Sequence, residues 1–311
     1  MDRRKFIRST ALTGGAFLTS ALLPSELYAA TKDTQLTILH TNDVHSRIDP
    51  FPMDGGRNQG LGGVAARAEL IKSIRAAEAH VLLLDAGDIF QGTPYFNLYK
   101  GEPEIKAMAA MGYDACTMGN HDFDAGLGNF ATQLKHANFP VIICNYGFTN
   151  TPMEGKYMPY KIFKKGRLKI GVTGVGIEMQ GLVPDSLFGN TTYLDPIQKA
   201  NETASMLKQK QKCDMIICLS HLGYKYKEEN KVSDVVLAKE TENIDLIIGG
   251  HTHTFMDKPD VYKNKVGSDV IVNQVGFGGI NLGRLDFNFS GVEKKNLLKS
   301  HTVVVVEKTN N

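Results

Sequence analysis

Five apolar segments of this chain each end in a short loop bearing acids, amides or imidazoles, and this arrangement limits the fold more than any other feature. They run into Asp43 and His45, into Asp88 of GDIFQG, into Asn120 and His121 of GNHD, into His221 of SHLG, and into His251 and His253 of GHTH. Short apolar runs ending in polar groups read as buried strands of an α/β protein, where ligand groups collect beyond the strand ends. The densest stretch is 113–124, in which 116–118 reads as the end of a strand and 119–124 as the loop leaving it.

Between these segments the periodicity changes. Residues 35–40 and 81–84 read as strands, and Val64, Ala65, Ala68, Ile71 and Ile74 mark one face of a helix ending near His80, with Arg67, Lys72 and Arg75 opposite. A short helix is expected at 103–111, begun by Pro103 and ended by Gly112, and another at 127–137. Residues 141–144 read as a strand, and 159–163 with 168–175 as a hairpin about Lys165 and Gly166. Helix 196–211, strand 215–219, helix 232–240 and strand 246–248 continue the alternation. Strands alone follow at 269–274, 283–289 and 302–306, so the fold is expected to end as antiparallel β. This order predicts an α/β fold, a four-layer sandwich of two mixed β-sheets flanked by helices, with the candidate site at the strand ends. No linker or internal repeat divides 30–311, which is expected to form a single domain.

Residues 1–29 carry Arg3, Arg4, Lys5 and Arg8, then a weakly apolar stretch, then Leu27, Tyr28 and Ala29, which suit a cleavage site. The paired arginines resemble a twin-arginine export signal, and a periplasmic or secreted protein is expected. Cleavage removes four of 35 basic residues and two of 33 acidic ones, leaving 31 of each. A balanced charge without basic runs favours neither a nucleic-acid duplex nor an anionic membrane as partner. Cys116, Cys144, Cys213 and Cys218 lie in or beside apolar runs without paired spacing, and read as buried free thiols, though export permits one disulfide.

If the five strands lie side by side in one sheet, the loops open on one edge and their polar groups converge. Residues two apart on an extended segment project to the same side, so Asp43 with His45, and His251 with His253, can each aim two groups at one volume. Carboxylate, imidazole and amide donors suit zinc, manganese, iron or cobalt rather than calcium. Their number exceeds the needs of one ion, and two divalent ions with Asp88 between them use them all. Asp124, three residues before Leu127, equally suits the start of a helix. His40, His80, His136 and His301 lie outside every motif and read as structural; Phe90, Tyr95 and Tyr99 read as core or rim packing.

The pattern D-x-H, GD, GNHD, H, GH-x-H resembles that of the calcineurin-like metallophosphoesterases. LHTNDVHSR, LGGVAARAELI, LLLDAGDIFQGTP, YDACTMGNHDFDAG and QVGFGGINLGRLDF resemble the catalytic domain of the 5'-nucleotidase and UDP-sugar hydrolase family, over about 36–306. The resemblance implies one ion held by Asp43, His45, Asp88 and His253, and a second by Asp88, Asn120, His221 and His251. It implies hydrolysis of small phosphoesters, nucleotides foremost, by in-line attack of metal-bound hydroxide, with His121 and Asp124 as the catalytic dyad. His253 stands where some relatives carry glutamine, and Asp122 where close relatives carry glutamate, an indirect role being expected of it and of Asp85. The family's usual second domain, with its aromatic clamp and phosphate-binding arginines, is not expected in this chain. Substrate selection then falls to this domain's loops, 46–62 above all, or to a separate polypeptide. In the alternative reading the chain is a metal-binding subunit, weakly active or inactive until such a partner joins it.

Overall fold

The computed structural model describes residues 33–228, 231–290 and 296–306, so the expected leader lies outside the described residues. The chain opens with β1 (Thr34–Thr41), α1 (Val64–Ala77) and β2 (Val81–Asp85), then α2 (Pro94–Tyr99), α3 (Glu102–Met111), β3 (Ala115–Cys116), α4 (Leu127–Gln133) and β4 (Val141–Ile142). The short strands β5 (Tyr146–Gly147) and β6 (Tyr157–Met158) lead to the hairpin β7 (Tyr160–Lys165) and β8 (Leu168–Gly176). Next come α5 (Asp185–Phe188), β9 (Thr192–Tyr193), α6 (Pro196–Gln209), β10 (Met215–His221), α7 (Asp234–Glu240) and β11 (Leu246–Gly249). The order closes with β12 (Asp260–Lys263), β13 (Asp269–Asn273), β14 (Asn281–Phe289) and β15 (Asn296–Val305).

Helix ends follow local chemistry. Pro196 opens α6 while the Asp195 carboxylate accepts from the Ile197 and Gln198 amides, and Gly112, at φ 71°, ends α3 in the left-handed conformation that glycine adopts without a Cβ clash. One helix face departs from the sequence expectation. Arg67 on α1 is buried, not solvent-facing, and Ala65 is exposed; the Arg67 guanidinium lies against Gly279, where a Cβ would sit 2.0 Å from Nη1.

The first sheet runs β15-β14-β1-β2-β3-β4-β6, and the second β12-β13-β11-β10-β8-β7. Both are mixed: β1 to β4 and β6 are mutually parallel, as are β8, β10, β11 and β13, with antiparallel strands at the margins. The period of two explains the layers. On β1 and β2, Leu36, Ile38, Leu82 and Leu84 face the second sheet's Ile170, Val172, Ile217 and Ile248 in one buried cluster. Leu39 and Leu83 point the other way, onto Ile71, Ile105 and Phe130 of the helices. Ile216, Cys218 and Ile247 likewise meet Ala204, Leu207 and Leu237 outside the second sheet. Strands covered on both faces are apolar without alternation, which is why VLLL and MIICL are continuous runs.

The expected antiparallel ending holds for β14, which pairs antiparallel with β1 and β15, and for β12 with β13, but not for every pairing. β13 lies parallel to β11, with Ile271 beside Leu246, and only then does the chain return to the first sheet, where β14 runs antiparallel to β1. Hydrophobic pattern identifies a strand but not the neighbour that it pairs with. The site-bearing strands also occupy two sheets rather than one: β1, β2 and β3 belong to the first, β10 and β11 to the second. Their loops meet because the carboxyl edges of the two sheets lie side by side, and Asn42 of the first binds the Gly276 carbonyl and the Val275 amide that follow β13 of the second.

Candidate metal centre

The loops are held in conformations that extended strands do not have. Asp43, His45, Asp88, His251 and His253 have φ of 51°, 51°, 56°, 72° and 51°, so each pair converges through left-handed turns and not through the expected i, i+2 projection of an extended segment. A non-glycine residue there costs on the order of 1 to 3 kcal/mol and persists only where its surroundings over-determine it. Those surroundings are visible: the Asp43, His45 and Ser46 amides donate to the carbonyls of Gly87, Asp88 and Ile89 at 2.9, 3.1 and 2.8 Å, zipping the first two loops together. Gly119 allows the third to approach, since a Cβ there would lie 2.1 Å from Asp88 Oδ1.

Two clusters result, one of Asp43, His45 and His253, the other of Asp88, His221 and His251, each with ligand atoms within 4.8 Å of one another. Asp88 links them, with Oδ2 3.1 Å from His221 Nε2 and 3.9 Å from His45 Nε2. Asn120 joins the second through Oδ1, 2.8 Å from His251 Nδ1. The structure therefore brings all seven sequence-nominated ligand residues together.

The donor set fits divalent cations. His45 and His221 donate from Nδ1 to the carbonyls of Phe90 and Ala86, at 3.2 and 2.7 Å, which fixes the tautomer and turns each Nε2 lone pair inward. His45 Nε2 and His253 Nε2 face one another at 2.9 Å, and the fully buried His221 Nε2 has no hydrogen-bond partner of good geometry. Charge makes the same demand. Burial opposes protonation of His221, yet Asp88 and Asp43 outweigh it and push its pKa up to about 10. Burial, with the neighbouring His221 and His45, holds His251 and His253 down at about 4. Buried carboxylates that draw a proton onto an imidazole between them are a site for positive charge.

His121 and Asp124 lie at the edge of these clusters. The dyad's hydrogen bond joins His121 Nδ1 to Asp124 Oδ2 at 2.9 Å, the His121 ring packs 5.3 Å from that of His45, and its amide donates to Asp88 Oδ1 at 2.8 Å. Asp124 does not cap α4, which has Gly126 at its N-cap and no side-chain cap.

Residues 36–255 match the family model described as calcineurin-like phosphoesterase. The chain belongs to this family. It is 36% identical to the snake venom 5'-nucleotidase of Gloydius brevicauda, over 88% of this chain and 48% of that protein, and 35% identical to the 5'-nucleotidase of Bos taurus, over 92% and 52%. Among solved structures, the 5'-nucleotidase precursor from Thermus thermophilus superposes with a TM-score of 0.77 at 31% identity, over 88% of this chain and 55% of that one. The chain thus spans about half the length of the relatives it matches.

Other residues of this phosphoesterase fold shape the centre without belonging to either cluster. The indirect role expected of Asp122 takes a definite form: its carboxylate accepts from the amides of Asp88, Ile89, Phe90 and Gly119, tying two ligand loops to each other. Burial, and then the Asp88 charge, raise its pKa to about 7. Asp85 accepts from Thr41 and the Gly87 amide below. Three supports were not anticipated. Asn42 donates to Asp43 Oδ2 at 2.7 Å; Gln274 donates to the Gly250 carbonyl and accepts from the Thr254 amide; and the fully buried Asp234 binds both Gln274 and Ser220, the neighbour of His221. Asn42 adjoins the D-x-H motif and could have been suspected, whereas Asp234 reads only as an acid in the first turn of a helix. Phe90 is core, packed on Phe96 and Phe130, while Tyr95 reaches Asp49 in the neighbouring loop. All four cysteines are free, Cys144 being only partly buried.

Proposed function

We propose that this chain hydrolyses small phosphoesters, nucleotides foremost, with two divalent ions at this centre. The observation that carries the reading is the pair of ligand clusters joined through Asp88, with His121 and Asp124 beside them. Asp43, His45, Asp88 and His253 would hold one ion, and Asp88, Asn120, His221 and His251 the other. Bound divalent ions supply Lewis acidity toward phosphoryl oxygens and lower the pKa of water. The chain's own residues orient and protonate. Asp124 holds the Nδ1–H of His121, so the imidazole presents Nε2 to the transferring group and donates its proton to an oxygen that gains charge as the ester bond breaks. The nucleotide preference is supported by relatives named 5'-nucleotidases. An exported location is supported by the basic and then apolar start of the sequence, and among the described residues no helix is long and apolar enough to cross a membrane.

Protein loaded with manganese or zinc is expected to hydrolyse a chromogenic phosphomonoester and to lose that activity to a chelator. Loaded protein that turns over neither mono- nor diesters would refute the hydrolase and leave the metal-binding subunit.

A further inference from the structure

Phe51, Phe255 and Phe277 build an aromatic wall on the rim of the metal centre, and neither metal binding nor phosphoryl chemistry gives it a role. The Phe277 ring stacks on His253, a nominated ligand, with centroids 5.1 Å apart and planes 20° from parallel. Phe51 and Phe255 meet Phe277 edge-on at 6.1 and 5.8 Å. Glycines on both sides of Phe277 permit this: a Cβ on Gly276 would lie 2.3 Å from the Phe255 ring, and one on Gly278 2.8 Å from Phe51. The Arg47 guanidinium sits over the Phe51 ring, 3.9 Å from its centroid, while Phe255 keeps 46% of its surface open to solvent.

A single exposed apolar residue needs no explanation. This one belongs to a fixed trio whose middle ring touches a ligand imidazole, so its open surface lies on the same rim as any phosphate held by the ions. A nucleoside phosphate anchored there by its phosphate would carry its base one sugar beyond the ions. A planar π-faced group is what such a wall accommodates, because stacking against an aromatic ring is tolerant of which base arrives.

We propose that Phe255, backed by Phe277 and Phe51, is a stacking platform for the base of a nucleoside phosphate, supplied by this domain itself; the proposal rests on the phosphoesterase reading. Adenosine is the probe that separates the two, since it carries the base but no phosphoester. With the zinc-loaded protein, saturation-transfer NMR is expected to show contact at the base protons of adenosine and none with ribose. Phe255→Ala and Phe255→Leu should each weaken adenosine binding by about tenfold, Leu keeping the apolar cover while removing the π-face, and Phe255→Trp should retain it. Unchanged adenosine affinity in the Leu variant, or ribose binding as well as adenosine, overturns the platform. So does an absence of adenosine binding. Base-dependent binding without hydrolysis of any phosphoester would refute the hydrolase reading and leave the platform standing.

Discussion

His121 keeps one nitrogen on Asp124 while its ring packs edge-on against His45, which separates its contribution from that of the ligand candidates. The Asp124 hydrogen bond is the largest cause raising the His121 pKa; burial opposes it and the Asp88 charge adds to it. His121→Asn should therefore lower kcat by roughly 10²- to 10⁴-fold, with metal content by elemental analysis unchanged; loss of bound metal would make His121 a ligand instead. An acid that donates from a raised pKa gives a rate that falls as pH rises through that pKa. In Asp124→Asn this fall should move to lower pH. His40 offers a pH test of stability away from the ligands. Burial lowers its pKa to about 3, so the unfolded chain takes up a proton below about 6.5 that the folded chain refuses. Its contribution to stability is present at neutral pH and is lost as pH falls from about 6.5 toward 3, by up to about 1.4 kcal/mol per unit. Asp234, raised by burial to about 7, has the opposite slope over part of this range, so the wild-type curve alone does not isolate His40. Urea unfolding at several pH values should show the stability difference between wild type and His40→Gln shrinking on the acid side; a pH-independent difference would mean that His40 titrates alike in the folded and unfolded chain.

At the scale of elements, strand ends matter more than strands. The D-x-H, GD, GNHD and GHTH loops were legible because each combines ligand residues with an apolar run before it, and the family resemblance ordered them. Register and sheet membership were not legible: β10 and β11 look like β2 in sequence, yet they belong to the other sheet. Nor was the conformation of the ligands, since nothing in a residue type announces that Asp43 or His253 adopts a left-handed turn. The four amides converging on Asp122 were hidden for the same reason, coming from two loops whose approach depends on tertiary structure. Gly119 is the position where these facts meet. Gly119→Ala must displace the Asp88 carboxylate, the fully buried His221 imidazole or its own loop, because the added Cβ would lie 2.1 Å from Asp88 Oδ1 and 2.6 Å from His221 Nε2. We expect loss of at least one equivalent of bound metal and of activity, read by elemental analysis and phosphoester turnover. Full metal content with wild-type turnover would show that the loop yields freely.

For the whole molecule, the candidate centre lies where two sheets meet, so the proposed ions would act as cross-links between layers. Each proposed ion takes ligands from both sheets: Asp43 and His45 from the first with His253 from the second, and Asp88 and Asn120 from the first with His221 and His251 from the second. Binding only the folded arrangement stabilises it by about 2.7 kcal/mol for an ion at 100 times its Kd. The two clusters differ in access, however. The His253 side chain is 41% exposed and that of His221 is not exposed at all, so water and chelator reach the first cluster sooner. Stepwise addition of chelator to loaded protein should therefore remove one equivalent before the other, with a matching two-step fall in the urea midpoint. His253→Ala should abolish the early step and leave the later one. Loss of both ions in a single step, with a single drop in stability, would mean that the shared Asp88 couples the clusters so tightly that neither holds an ion without the other.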